Sequence, residues 1–265
     1  MAARAIWKGS INLGQTELPV KLYSAVEDGT VHFHLLEKRT HARVKQHMVN
    51  PSTSKEVRTD EVRKGYEIEP NTFVIVDDDD LNKIEPEPST TIELTSFVPK
   101  GSIGHQYYDR PYYLGPDGDT KTYFALAEAL TRKEREGLAR WVMRKKEYVG
   151  ALRSNDGYLL LITLRHAEEV LTAREIGSPD GKAPDPREIK MAEQLVAVLE
   201  DEFRPQEYSD EYRERVLKHI EAKAKGRKPK LEALPKRGAE PKSLMEALAA
   251  SLKASDGKTK EKAVA

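Results

Sequence analysis

A chain of 265 residues and 29.9 kDa has room for one substantial core or two modest ones. Because 33% of its residues are charged and its mean hydropathy is -0.67, part of it is expected to lie outside any core. It holds no apolar run of about 18 residues to span a bilayer, and the absence of cysteine excludes disulfides and thiolate metal sites, as fits a reducing compartment.

Residues 1–13 carry Arg4 and Lys8 without an apolar signal core, so a cytoplasmic protein is expected. Residues 4–26 predict strands: Ala5, Trp7 and Gly9 alternate with Ile6 and Lys8, and Leu18-Pro-Val-Lys-Leu-Tyr23 is rich in β-formers. Pro19 suggests an edge or a strand start. Residues 27–70 change character, with scattered cations, few large apolar residues and a turn-like Asn50-Pro-Ser-Thr-Ser54, and are expected to project from the core. The run from Phe73 to Val76 returns to strand, and Asp77, Asp78, Asp79 and Asp80 then suit a helix start.

Further strands are predicted at 91–98 and 107–114, the second closed by Gly115-Pro-Asp-Gly118. Tyr123, Leu126, Ala127 and Leu130 recur at helical spacing, predicting one helix on the sheet. Over 137–146 alternation sets Ala139, Trp141 and Met143 on one face and Arg140, Val142, Arg144 and Lys146 on the other. The run at 158–164 has the apolar continuity of a strand buried on both sides. After a linker at 179–186, Asp185-Pro-Arg-Glu188 reads as a cap, a first-turn proline and a capping glutamate, opening a helix with Ile189, Ala192, Val196, Leu199 and Phe203 on one stripe. A second helix is expected from Ser209, with Tyr212, Val216 and Ile220 on one face, so that the two form a helical hairpin. The rest is compositionally disordered apart from a possible short helix at 243–252, where Leu244, Leu248 and Leu252 align.

Formal net charge is zero, yet from Lys218 onward 13 Lys and Arg face 6 Asp and Glu, so a neutral total conceals a basic tail. Three cations without an acid at Arg140, Arg144 and Lys146 would repel one another unless an anion lies across them. A DNA backbone supplies that anion without regard to sequence. Lys38, Arg39, Arg43, Lys45, Arg58, Arg63 and Lys64 in the projecting segment, and Lys223, Lys225, Arg227, Lys228 and Lys230 towards the tail, are the further candidate contacts. No nucleotide-cradling loop, nucleophile turn or paired-histidine zinc motif occurs. His32, His34, His41 and His47 cluster in sequence but suit exposed positions near a polyanion better than a metal site, and no cofactor is expected. Two other readings stay open: a metal-dependent nuclease using the acidic run and the histidines, and a protein-binding scaffold that encloses no DNA.

Five motifs, in order, carry a resemblance: Arg4-Ala-Ile-Trp-Lys-Gly-Ser-Ile11, Leu18-Pro-Val-Lys-Leu-Tyr-Ser24, Lys64-Gly-Tyr66, Arg110-Pro-Tyr-Tyr-Leu114 and Asp210-Glu-Tyr-Arg213. From about residue 3 to 225 the chain resembles the bacterial Ku family. The resemblance implies a mainly β fold with α: a Ku-core β-barrel over 1–180 with a DNA-encircling bridge at about 31–69, a helical region at 185–225, and a basic flexible tail over 226–265. It further implies a homodimer that rings duplex DNA, loads at free ends and recruits ligase D for double-strand break repair by non-homologous end joining, at the bacterial nucleoid and without catalysis. Tyr208, Asp210, Glu211, Tyr212 and Arg213 fall in the region it assigns to the ligase. Some family members carry bridge cysteines that suggest a metal; here the segment is His47-Met-Val-Asn-Pro51. A single chain of this size cannot surround a rod roughly 20 Å across, whereas two related by a two-fold axis can.

Overall fold

The computed structural model describes residues 4–177, 181 and 183–226, which fall into two units: one of Arg4 to Asp28 with Phe33 to Ile176, the other of Gly29 to His32 with the described residues from Gly177 onward. The first contains β1 (Trp7–Asn12), β2 (Glu17–Ser24), β3 (Lys64–Glu69), β4 (Thr72–Val76), α1 (Asp78–Ile84), β5 (Thr91–Pro99), β6 (Tyr108–Pro116), α2 (Thr120–Lys133), β7 (Arg135–Met143), β8 (Lys146–Asn155), β9 (Tyr158–Leu164) and the single turn α3 (Ala173–Ile176). Seven strands close into a barrel in the order β1-β2-β6-β9-β8-β7-β5. Every pairing is antiparallel except the closing one, where β1 runs parallel to β5 through Ser10 and Thr91, Ile11 and Ile92, and Asn12 and Glu93.

Period-two alternation explains the interior. Leu18, Val20 and Leu22 of β2 are fully buried, as are Leu159 and Leu161 of β9, and with Ile11, Ile92, Leu114 and Leu152 they form the core. Because β2 is flanked by β1 and β6, Pro19 is not on an edge; it is the third residue of β2, opposite Ser10 of β1 and one residue before pairing with β6 begins at Val20, and its carbonyl accepts from the Asp117 amide at 3.0 Å.

The strand β8 was not anticipated, although its turn into β9 is written as Asp156-Gly157, both left-handed, a strong hairpin signal. Likewise the expected strand over 137–146 is two strands: β7 stops at Met143, Arg144 and Lys145 make the turn, and Lys146 begins β8 opposite Met143.

Asp119 caps α2 by accepting from the Thr122 amide, and the helix packs on β7, β8 and β9 with Tyr123, Ala127 and Leu130 buried. The Tyr123 hydroxyl donates to the Leu114 carbonyl at 2.5 Å and accepts from the Leu159 amide at 2.8 Å. Leu114 and Leu159 are register partners, so the phenol supplies a rung of the β6–β9 ladder.

In the second unit, α4 (Pro186–Leu199) starts as expected: the Asp185 carboxylate accepts from the Arg187 and Glu188 amides, and Glu188 accepts from the Asp185 amide. The next helix, α5 (Glu211–Ala224), is capped by Asp210 rather than Ser209, through a carboxylate accepting from the Arg213 amide at 2.9 Å. Both expected helices are present, and neither buries a residue. Val196, Leu199 and Phe203 are exposed, and the better covered side of α4 carries Met191, Ala192, Leu195 and Val198.

Replacing Tyr123 with Phe leaves a buried carbonyl and a buried amide without their partner. The expected cost is about 1 to 3 kcal/mol, read as a lowered urea midpoint with an unchanged slope; a midpoint equal to wild type would mean that the hydroxyl is not a rung.

Candidate nucleic-acid interface

The tip of the β7–β8 hairpin is built from the inside outward. Ala139, Trp141 and Met143 are buried as the alternation requires, and Trp141 stacks on Tyr148 across the pair, ring centroids 5.4 Å apart. Gly150 makes room for this stack, since a Cβ there would stand 2.7 Å from the indole ring and 2.7 Å from the Ile162 carbonyl oxygen.

The cations are distributed differently from the sequence expectation. Arg140 does face outward, yet Glu147, one step diagonal to it, lies 3.9 Å away, so the face is not free of acids. Lys146 pairs with Met143 and therefore belongs to the Met143 face, with its ammonium 5.5 Å from the centre of the Tyr148 ring. Arg144 is in the turn, exposed and without an ion-pair partner among the described residues. Lys145, which strand alternation would have turned inward, instead reaches Glu85 at 2.9 Å. The signal for the turn was the interruption of alternation by Arg144-Lys-Lys-Glu147, four polar residues in succession.

The segment between β2 and β5 projects as expected: no residue from 33 to 76 is buried. Two small loops form within it, bridged at Leu36 and Arg43 and at Val49 and Glu56, and Asn50 closes the second by accepting from the Ser52 and Thr53 amides. Lys38, Arg39, Arg43 and Lys45 are exposed and without ion pairs among the described residues. The other three candidates are engaged: Arg58 with Asp60 at 3.1 Å, Arg63 with Asp77 at 3.8 Å and Lys64 with Asp78 at 2.9 Å, the last holding the Asp78 carboxyl below its ordinary range. The acidic run is thus spread over separate cations, with Asp80 on Lys83. His47 pairs with Glu56, and no three acidic or histidine side chains among the described residues converge as metal ligands do.

The segment is also more apolar than the sequence reading allowed. Phe33, Leu35, Leu36, Met48, Tyr66, Ile68, Phe73 and Ile75 are all exposed, Phe33 and Tyr66 at 70%. In the β3–β4 ribbon Tyr66 pairs with Val74 on one face while Phe73 and Ile75 occupy the other, so both faces are apolar.

Residues 12–191 match the family described as the Ku70/Ku80 beta-barrel domain. The chain belongs to the Ku family. It is 38% identical over 230 residues to the "Non-homologous end joining protein Ku" of Coxiella burnetii, covering 85% of this chain and 84% of that one. Proteins of the same name from Solibacter usitatus (35% identical over 262 residues; 98% and 97% covered) and Archaeoglobus fulgidus (36% over 254; 95% and 99%) match nearly end to end.

Within this Ku barrel, the strand that carries Arg140 is anchored by a buried carboxylate that sequence reasoning overlooked. Glu136 is 1% exposed, and accepts from the Tyr108 hydroxyl at 2.6 Å while Arg153 lies 3.5 Å from its other oxygen. In the C-terminal unit Tyr208 and Tyr212 are exposed, whereas Asp210 and Glu211 occupy the start of α5. Lys223 and Lys225 are exposed at its end; Arg227, Lys228 and Lys230, the tail over 227–265 and the short helix expected at 243–252 lie outside the described residues. No helix among the described residues is long and apolar enough to cross a membrane.

Burial, reinforced by the neighbouring Glu136 carboxylate, pushes the Tyr108 phenol from 10.0 up to about 12. A raised folded value means that its stabilisation is complete below pH 10 and is lost as pH climbs through about 12. Tyr108→Phe, with no proton to lose, should therefore show a flatter fall in urea midpoint across that window; parallel falls would place the alkaline loss elsewhere.

Proposed function

We propose that this Ku-family protein binds the ends of double-stranded DNA, irrespective of sequence, as a homodimer in non-homologous end joining. The observation that carries the reading is the projecting segment, which has no buried residue yet combines an apolar two-faced ribbon with four cations that have no ion pair among the described residues. A lone two-stranded ribbon is marginal in water, and each large apolar side chain covered by a partner stabilises by about 1.5 to 3 kcal/mol. A second copy covers such a segment by two-fold symmetry, and the same pairing closes a hoop.

Within the hoop, Lys38, Arg39, Arg43, Lys45, Arg140, Arg144 and Lys146 contact phosphates, with Arg58, Arg63 and Lys64 secondary because their carboxylate partners must first be displaced. The exposed Lys223, Lys225 and the Lys-rich residues beyond add basic charge. Retention comes from charge and threading, and the protein binds DNA without transforming it. Break repair places it on the nucleoid in the cytoplasm. The names of the relatives support the end-joining role, and the exposed Tyr208 and Tyr212, with Asp210, Glu211 and Arg213, form the surface for recruiting ligase D.

The deciding measurement compares linear duplex with sealed circles of equal length at moderate salt. Linear DNA should be retained and circles released; equal binding would exclude threading from an end. Arg140→Ala with Arg144→Ala should make the salt dependence shallower by about 0.9 in logarithmic slope for each phosphate that is no longer neutralised. For the dimer, Tyr66→Asp with Ile75→Asp should sediment as a folded monomer with poor end retention. A folded dimer from that variant would move the interface off the ribbon.

A further inference from the structure

The β7–β8 turn spends two long cations where a hairpin normally uses Asn-Gly. A two-residue turn of this kind requires a left-handed backbone at both positions, which side chains with a Cβ disfavour. Arg144 has φ 53 and Lys145 has φ 65. The other turns between paired strands follow the usual chemistry: Asp156-Gly157 between β8 and β9, Asn71 between β3 and β4, and Gly14 between β1 and β2; only the bridged loops of the projecting segment, with His41 and Ser54 at positive φ, also depart from it among the described residues. A disfavoured conformation persists where its surroundings over-determine it, so the question is what holds this one.

Packing does not. A half-open cavity of about 470 Å³ lies against the turn, lined by Trp7, Pro86, Pro88 and Met143 together with Arg144 and Lys145. What reaches across is Lys145: its ammonium meets both Glu85 oxygens, at 2.9 and 3.1 Å, and Asn82 Oδ1 at 3.5 Å, joining the tip to the end of α1 sixty residues earlier in the chain. Lys145 is thereby neutralised, while its neighbour Arg144 is exposed without a partner among the described residues.

We infer that Glu85, through Lys145, is a positioning residue that fixes the strained turn so that Arg144 is presented to the nucleic-acid backbone. The inference rests on the DNA-binding reading above and goes beyond it, because it assigns an acidic residue a favourable role in binding a polyanion. Electrostatics alone demands the opposite: deleting a carboxylate beside a cationic tip strengthens the attraction for phosphate.

The test uses the full chain and linear duplex. Glu85→Gln should bind on the order of two- to fivefold more weakly, the factor that an exposed ion pair of this kind supports, with a salt slope lowered towards that of Arg144→Ala. In the Arg144→Ala background the same substitution should cause no further weakening, since there is no guanidinium left to position. Exchanging the charges, Glu85→Lys with Lys145→Glu, keeps the net charge and should restore affinity. Amide hydrogen exchange at the turn, without DNA, should be faster in Glu85→Gln than in wild type. Binding by Glu85→Gln as tight as or tighter than wild type would overturn the inference, as would an equal weakening with and without Arg144, which is the signature of general destabilisation. Failure of the wild-type protein to prefer ends is a separate result: it removes the end-binding reading, whereas the exchange rates still decide whether Glu85 holds the turn.

Discussion

The parallel pairing of β1 with β5 covers only Ser10, Ile11 and Asn12, but with it the last open edge of the sheet disappears. A closed barrel exposes no row of unpaired amides to invite another strand, and its interior here is filled by aliphatic side chains and sealed by the Tyr123 hydroxyl. Nothing more can be added to that core. The chain between β2 and β5 touches the barrel through contacts such as Glu85 with Lys145, while apolar residues of its projecting part, Tyr66, Phe73 and Ile75 among them, remain exposed.

Charge follows the same division. The chain as a whole is neutral, and acids find bases wherever the chain folds back on itself: Glu85 on Lys145, Glu147 on Arg140, Asp77 and Asp78 on Arg63 and Lys64. Cations without an ion pair among the described residues include those of the projecting loops and the hairpin tip, Lys38, Arg39, Arg43, Lys45 and Arg144, and also others such as Lys121 and Lys133 on α2. A ligand recognised through such residues is recognised by its charge and shape, which suits duplex DNA and suits indifference to base sequence.

Family membership and physical reading agree on the barrel and differ in emphasis on the contacts. Resemblance over most of the chain makes it a Ku-family protein, and the geometry separates Arg144 and the loop cations, which have no ion-pair partner among the described residues, from Arg140, Arg63 and Lys64, which are paired.

Local patterning was enough for β2, β9, α2 and the start of α4, because burial at period two or helical spacing, and a cap such as Asp185, are written within a few residues of one another. It also marked residues 27–70 as projecting, through their scattered charge. The fate of the apolar residues there was hidden, because only a finished core determines that Tyr66 and Ile75 are left outside it. The same holds for the cations: alternation set Arg140, Arg144 and Lys146 on one face, and it took the register of β7 against β8 to put Arg144 in a turn, Lys146 on the Met143 face and Glu147 beside Arg140. The sequence by itself determined most of the strands, the caps at Asp119 and Asp185, and the family. Which cations are spent inside the molecule and which remain for a ligand was decided by the tertiary structure, since ion pairs such as Lys145 with Glu85 join residues sixty positions apart that no local pattern connects.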